Sequence, residues 1–82
     1  MKRITAQPEL NIIGKNIKLA RENANLSQQE LADKLELIAV YICRGSISRL
    51  ESGQRSVTDI EIRALAKILK VSPNELFNWD EE

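Results

Sequence analysis

The sequence predicts an all-α domain of five short helices, and three observations carry that prediction. Aliphatic residues recur at helical spacing in successive segments. Three Ser/Thr-x-x-Glu signatures, Ser27–Glu30, Thr58–Glu61 and Ser72–Glu75, mark helix starts, because each satisfies two backbone donors that a helix N-terminus leaves over. The composition is 43% hydrophobic with only three aromatic residues, which suits a small aliphatic core. Eighty-two residues make one domain, large enough for a single core and too small for a separate sensor domain.

Residues 1–10 contain Pro8 and show no helical period, so they read as an N-terminal arm or loose lead-in. The domain proper spans 11–79, and residues 80–82 form an acidic tail. The first helix is expected from about Asn11, a candidate cap, to Asn23, with Ile13, Ile17, Ala20 and Ala24 on one apolar face. The second begins after Ser27. Leu31, Ala32, Leu35 and Ile38 share its inner face, while Gln29, Asp33 and Lys34 look outward.

The third helix covers residues 44–52. Ile47 and Leu50 anchor it one turn apart, Gly45 and Arg49 point away from the core, and Ser48 lies on the flank. Gly53 supplies the left-handed stop. Arg21 and Glu51 each fall at the edge of a buried face, Glu51 about 40° from Ile47 by the 3.6-residue period. Opposite charges so placed call for each other, since an unpaired buried charge is costly.

The fourth helix is expected from Asp59 to Lys70 behind Thr58. Ile60, Ile62, Ala64, Leu65, Ala66, Ile68 and Leu69 make it apolar over more than half its circumference, and Arg63, Lys67 and Lys70 share a solvated face. Ser72, with Pro73 at the first helical position, opens a short fifth helix that carries Leu76, Phe77 and Trp79 inward.

Leu26-Ser27-Gln28-Gln29-Glu30-Leu31-Ala32-Asp33-Lys34-Leu35, followed by Ser46-Ile47-Ser48-Arg49-Leu50-Glu51-Ser52-Gly53-Gln54-Arg55, resembles the helix-turn-helix of the Cro and phage-repressor family. The resemblance covers roughly residues 12–78, including the Glu-x-Gly ending and the helices that follow. It implies a lambda-repressor-like fold and a transcriptional regulator, most simply a repressor, that binds specific double-stranded DNA. The antitoxin of a toxin–antitoxin pair, or a protein-interaction module on the same scaffold, are the alternative roles.

By that resemblance the second helix lies across the DNA backbone, with Gln28 and Gln29 near a phosphate. The third enters the major groove. Arg44, Gly45, Ser46, Ser48 and Arg49 then occupy groove-facing positions, and Gln54 and Arg55 add phosphate contacts. Lys2 and Arg3 have the chemistry to reach DNA phosphates or a minor groove, but a frayed terminus is the preferred account of them. The same resemblance makes Arg21 and Glu51 a buried structural salt bridge rather than a DNA contact.

One stretch departs from the family. The usual turn of about 3–4 residues is replaced by Glu36-Leu37-Ile38-Ala39-Val40-Tyr41-Ile42-Cys43, which is apolar after Glu36. Ile38 continues the Leu31–Leu35 stripe, so the spacing favours a second helix extended by a turn, with the remainder tucked against the core and Tyr41 partly exposed. The alternative is pairing of this segment across a homodimer. The third helix then starts at Cys43 or Arg44.

Charge and composition bound the partners. Net charge is zero, but residues 1–55 carry nine Lys/Arg against six Asp/Glu, and residues 56–82 carry three against six. A layout of +3 and −3 can orient a protein on a phosphate backbone without net charge. A homodimer and a protein partner are both compatible with the sequence. The chain has no histidine, no zinc-ligand spacing and no glycine-rich phosphate loop, so it is read as a non-enzyme without a cofactor. The absence of a long apolar run or signal pattern, together with a lone cysteine, points to the cytoplasm and no membrane partner. Cys43 itself reads as a small buried apolar residue.

Overall fold

The computed structural model describes residues 9–78. The N-terminal arm up to Pro8, with Lys2 and Arg3, lies outside the described residues, as do Trp79 and the acidic tail. Among the described residues the chain forms five helices and no strand: α1 (Gly14–Asn23), α2 (Gln28–Glu36), α3 (Arg44–Glu51), α4 (Asp59–Leu69) and α5 (Pro73–Phe77). None is long and apolar enough to cross a membrane.

All three capping boxes form as complete reciprocal pairs, with Ser27, Thr58 and Ser72 each accepting from the amide three residues on. Helix ends follow an equally uniform rule. Asn25, Ala39, Gly53 and Lys70 all adopt the left-handed conformation. After each, the next amide reaches back five residues: Leu26 to Arg21, Val40 to Leu35, Gln54 to Arg49 and Val71 to Ala66. This is the Schellman closure, which satisfies carbonyls that a helix end would orphan.

The core is aliphatic. Ile13 and Ile17, Leu31 and Leu35, Ile47 and Leu50, Leu65 and Leu76 are all fully buried. α3 packs between α1 and α2, while α4 and α5 close the opposite side against α1 and α2. Burying one such side chain is worth about 1.5–3 kcal/mol, so this shared interior is what holds helices of eight to eleven residues that would not persist alone.

Several expectations need correction. α1 begins at Gly14 rather than Asn11, because Asn11 caps from a distance: its Oδ1 accepts the amides of Ile13 and Gly14, at 3.1 and 2.7 Å. Ala24 is exposed beyond the end of the helix. α2 does not gain a turn. It stops at Glu36, and the Schellman closure reverses the chain at Ala39. That reversal sets Val40 against the core, where the period had placed Ile38, and leaves Ile38 40% exposed. Only Val40 and Ile42 of the long turn tuck inward, whereas Leu37 and Tyr41 are 84% and 74% exposed. Ile60, in the first turn of α4, also faces outward at 69%. Cys43 is exposed rather than buried, because it is the residue immediately before α3, where the chain enters the helix from outside.

Candidate nucleic-acid interface

Helix α3 has one buried and one free face. Ile47, Leu50 and Glu51 are buried, whereas Arg44, Gly45, Ser48 and Arg49 are exposed on the other side. The first amides of the helix have no partner within it and point outward with its positive end. Gly45 leaves the outer surface low, with only the Arg49 guanidinium near the place a Cβ would occupy.

Arg49 is not a free arm. Its Nη2 donates to Ser46 Oγ at 3.1 Å, and the Cys43 thiol lies 3.6 Å from the same hydroxyl. Ser46, half-buried, therefore links the start of the helix to the arginine one turn on. The same hydroxyl holds the Cys43 thiol below its ordinary pKa of 9.0. Arg44 stands at the first helical position and is exposed.

Behind α3 lies a buried ionic clamp. Arg21 Nε donates to Glu51 Oε2 at 2.7 Å and Arg21 Nη2 to Glu51 Oε1 at 3.1 Å, with side chains 10% and 3% exposed. The remaining Arg21 nitrogen, Nη1, donates to the Leu26 carbonyl at 2.8 Å. Gln28 Nε2 donates to Glu51 Oε1 at 3.0 Å. The hydrogen bonds to Glu51 raise the Arg21 pKa above its already high value. One carboxylate thus ties α1, the start of α2 and the end of α3 together.

Two sequence-picked residues are placed differently from expectation. The Gln28 side chain is turned to Glu51 rather than outward, and its backbone amide lies in the first turn of α2, where it has no partner within the helix. Arg55 is engaged within the protein: Nη1 and Nη2 reach Glu61 Oε1 and Oε2 at 3.0 and 2.8 Å, and Nη1 also reaches the Ser56 carbonyl. The pairing raises the Arg55 pKa and lowers that of Glu61. Gln29, exposed, donates to Asp33 one turn along α2. Gln54 is exposed, with its amide used in the α3 closure.

Two residues that the sequence reading did not assign to the surface of this site belong to it geometrically. Cys43 and Tyr41 line a concavity with Gln29, Arg44 and Ser46, beside the N-terminus of α3. Asn11 is another unassigned contributor. Its Nδ2 donates to the Leu50 and Arg55 carbonyls, at 3.0 and 2.7 Å, and so pins the loop that follows α3.

Around two short helices joined by a turn, the second with an exposed cationic face, the chain matches the helix-turn-helix family model over residues 17–76, from within α1 into α5. The chain is a Cro/C1-type helix-turn-helix protein. Among solved structures this helix-turn-helix chain is similar to the crystal structure of the restriction-modification controller protein C.AhdI from Aeromonas hydrophila. The two share 32% identity, the match covers 79% of this chain and 87% of that one, and the TM-score is 0.69. No curated protein matches. As a member of this family the protein is a DNA-binding transcriptional regulator.

Proposed function

We propose that the protein reads a specific duplex sequence by laying α3 in the major groove, and that it represses the promoter it occupies. The observation that carries this reading is the outer face of α3. Arg44, Gly45, Ser48 and Arg49 are exposed, with Arg49 steadied by Ser46, while Ile47, Leu50 and Glu51 fix the opposite side. An arginine fork matches the two acceptors of a guanine edge, worth about 1–3 kcal/mol of discrimination. The backbone amides of Gln28 and Gln29, with the Gln29 and Gln54 side chains, supply phosphate contacts that set register without reading sequence. Arg55 acts at one remove, holding the loop after α3 through Glu61.

An α3 of eight residues is about 12 Å long and spans only about three or four base pairs. With no net charge to add non-specific affinity, one copy is a weak binder. We therefore propose that two copies bind as a homodimer to half-sites about one helical turn apart.

Selection from randomised duplexes, with affinities measured at two salt concentrations, tests the reading. The expected result is an enriched pseudo-palindromic motif whose affinity falls with salt. Arg49→Ala should relax base preference at one position while stability changes by less than about 0.5 kcal/mol. A second reading, a protein-interaction module, draws on the exposed Leu37 and Tyr41. No enriched motif, with negligible salt dependence, would favour it.

A further inference from the structure

The long turn before α3 presents one large side chain outward by construction. Val40 packs on the core, Ile42 is buried, and Tyr41 between them is exposed. Two inward anchors on either side fix the direction of the tyrosine, so its exposure is not that of a fraying end. Arg44, three residues on, opens the reading helix.

Tyr41 borders a concavity of about 430 Å³ that also takes in Ala32 and Asp33 of α2, Ile42, Cys43 and Arg44. Its apolar walls are the tyrosine ring, the Ala32 methyl, Ile42 and the cysteine sulfur. Its charges are two carboxylates, Asp33 and Glu36, against one guanidinium, Arg44. That excess of negative charge repels a phosphate group. It also disfavours the acceptor atoms of a base edge, so an apolar group is the better fit. The apolar group that a base pair offers in the major groove is the methyl at C5 of thymine, and a 5-methylated cytosine carries the same group.

We propose that this concavity is a subsite for the 5-methyl group of a pyrimidine, with the Tyr41 ring and Cys43 as its walls, beside the base met by Arg44. The inference rests on the DNA-binding reading and adds a specificity-determining residue to it. Tyr41 then confers a preference that the outer face of α3 does not supply.

The test uses the full chain and its selected duplex, with each thymine replaced in turn by uracil, which deletes only the methyl group. Wild type should lose about four-fold in affinity at one position per half-site, the factor that accompanies burial of one methyl-sized group. Tyr41→Ala should bind the thymine and uracil duplexes equally, with its melting temperature unchanged. Tyr41→Phe, which keeps the ring, should retain the preference for thymine. In a parallel arm, 5-methylcytosine replaces each cytosine, and a gain there with indifference to uracil would make the modified base the source of the methyl.

Affinities indifferent to both replacements would overturn the subsite. So would a thymine preference that persists undiminished in Tyr41→Ala. A Tyr41→Ala protein weakened on every duplex, with its thymine preference intact, would make the tyrosine a backbone contact instead. If wild type selects no duplex at all, the DNA-binding reading fails before this one is reached.

Discussion

Gly14 lies directly against the carbonyl oxygen of Leu50, where a Cβ would overlap that oxygen and crowd the Glu51 carbonyl at 3.0 Å. α1 and α3 meet closely here, and the Asn11 carboxamide spans the two segments. Neither clashing atom is a flexible side chain. Gly14→Ala must therefore push α3 away from α1. The expected cost is about 1–3 kcal/mol, read as a lower urea midpoint at an unchanged m-value. A variant as stable as wild type would mean that the helices separate freely at this point.

The Arg21–Glu51 clamp gives a second prediction. Glu51→Ala leaves Arg21 buried without its counter-charge and also frees Gln28, so it should destabilise by about 3–5 kcal/mol. Removing both charges should cost less than the two single changes together, because neither is then left stranded. Additive single and double mutants would show that the two groups are not coupled.

Acid should act through Arg55 and Glu61. The guanidinium of Arg55 is the largest cause of the depressed Glu61 pKa, with the Thr58 amide adding to it against the opposing effect of burial. A group whose folded pKa lies below its ordinary value contributes stability above that value and loses it as pH falls through the folded pKa. The melting-temperature gap between wild type and Arg55→Ala should thus be widest near neutral pH. It should narrow once the pH drops below 4.5, the ordinary value for this carboxyl. A gap constant from pH 7 to pH 3 would mean that Arg55 contributes by packing alone.

Ala39 closes α2 at φ 63°, a conformation that costs a non-glycine residue about 1–2 kcal/mol. Ala39→Gly relieves that strain and offsets part of the gain through a more flexible unfolded chain. The net expectation is a stabilisation of about 0.5–1 kcal/mol in thermal unfolding, with α2 ending at the same residue. A destabilised variant would place the chain reversal elsewhere.

The sequence by itself determined the number and order of the helices and the starts of α2, α4 and α5, because these are local matters. A capping box lies within four residues, and Ser27, Thr58 and Ser72 each declare one. The inner faces of α2 and α3 were equally legible, since Leu31, Leu35, Ile47 and Leu50 follow a single period. The outward set on α3, Arg44, Gly45, Ser48 and Arg49, is the complement of that period and needs no tertiary information.

What only the tertiary structure decided are the competitions between partners far apart in the chain. Gln28 and Arg55 looked like free polar side chains, yet Glu51 and Glu61 claim them. Ile38 lay on the right face by spacing, but a backbone reversal at Ala39 gives its place to Val40. Asn11 reaches thirty-nine residues to Leu50, and Gly14 is required by a carbonyl that no local pattern brings near it. A helical period gives the direction of a side chain from its own axis. It carries no information about which acceptor, or which backbone, the rest of the chain folds up against it.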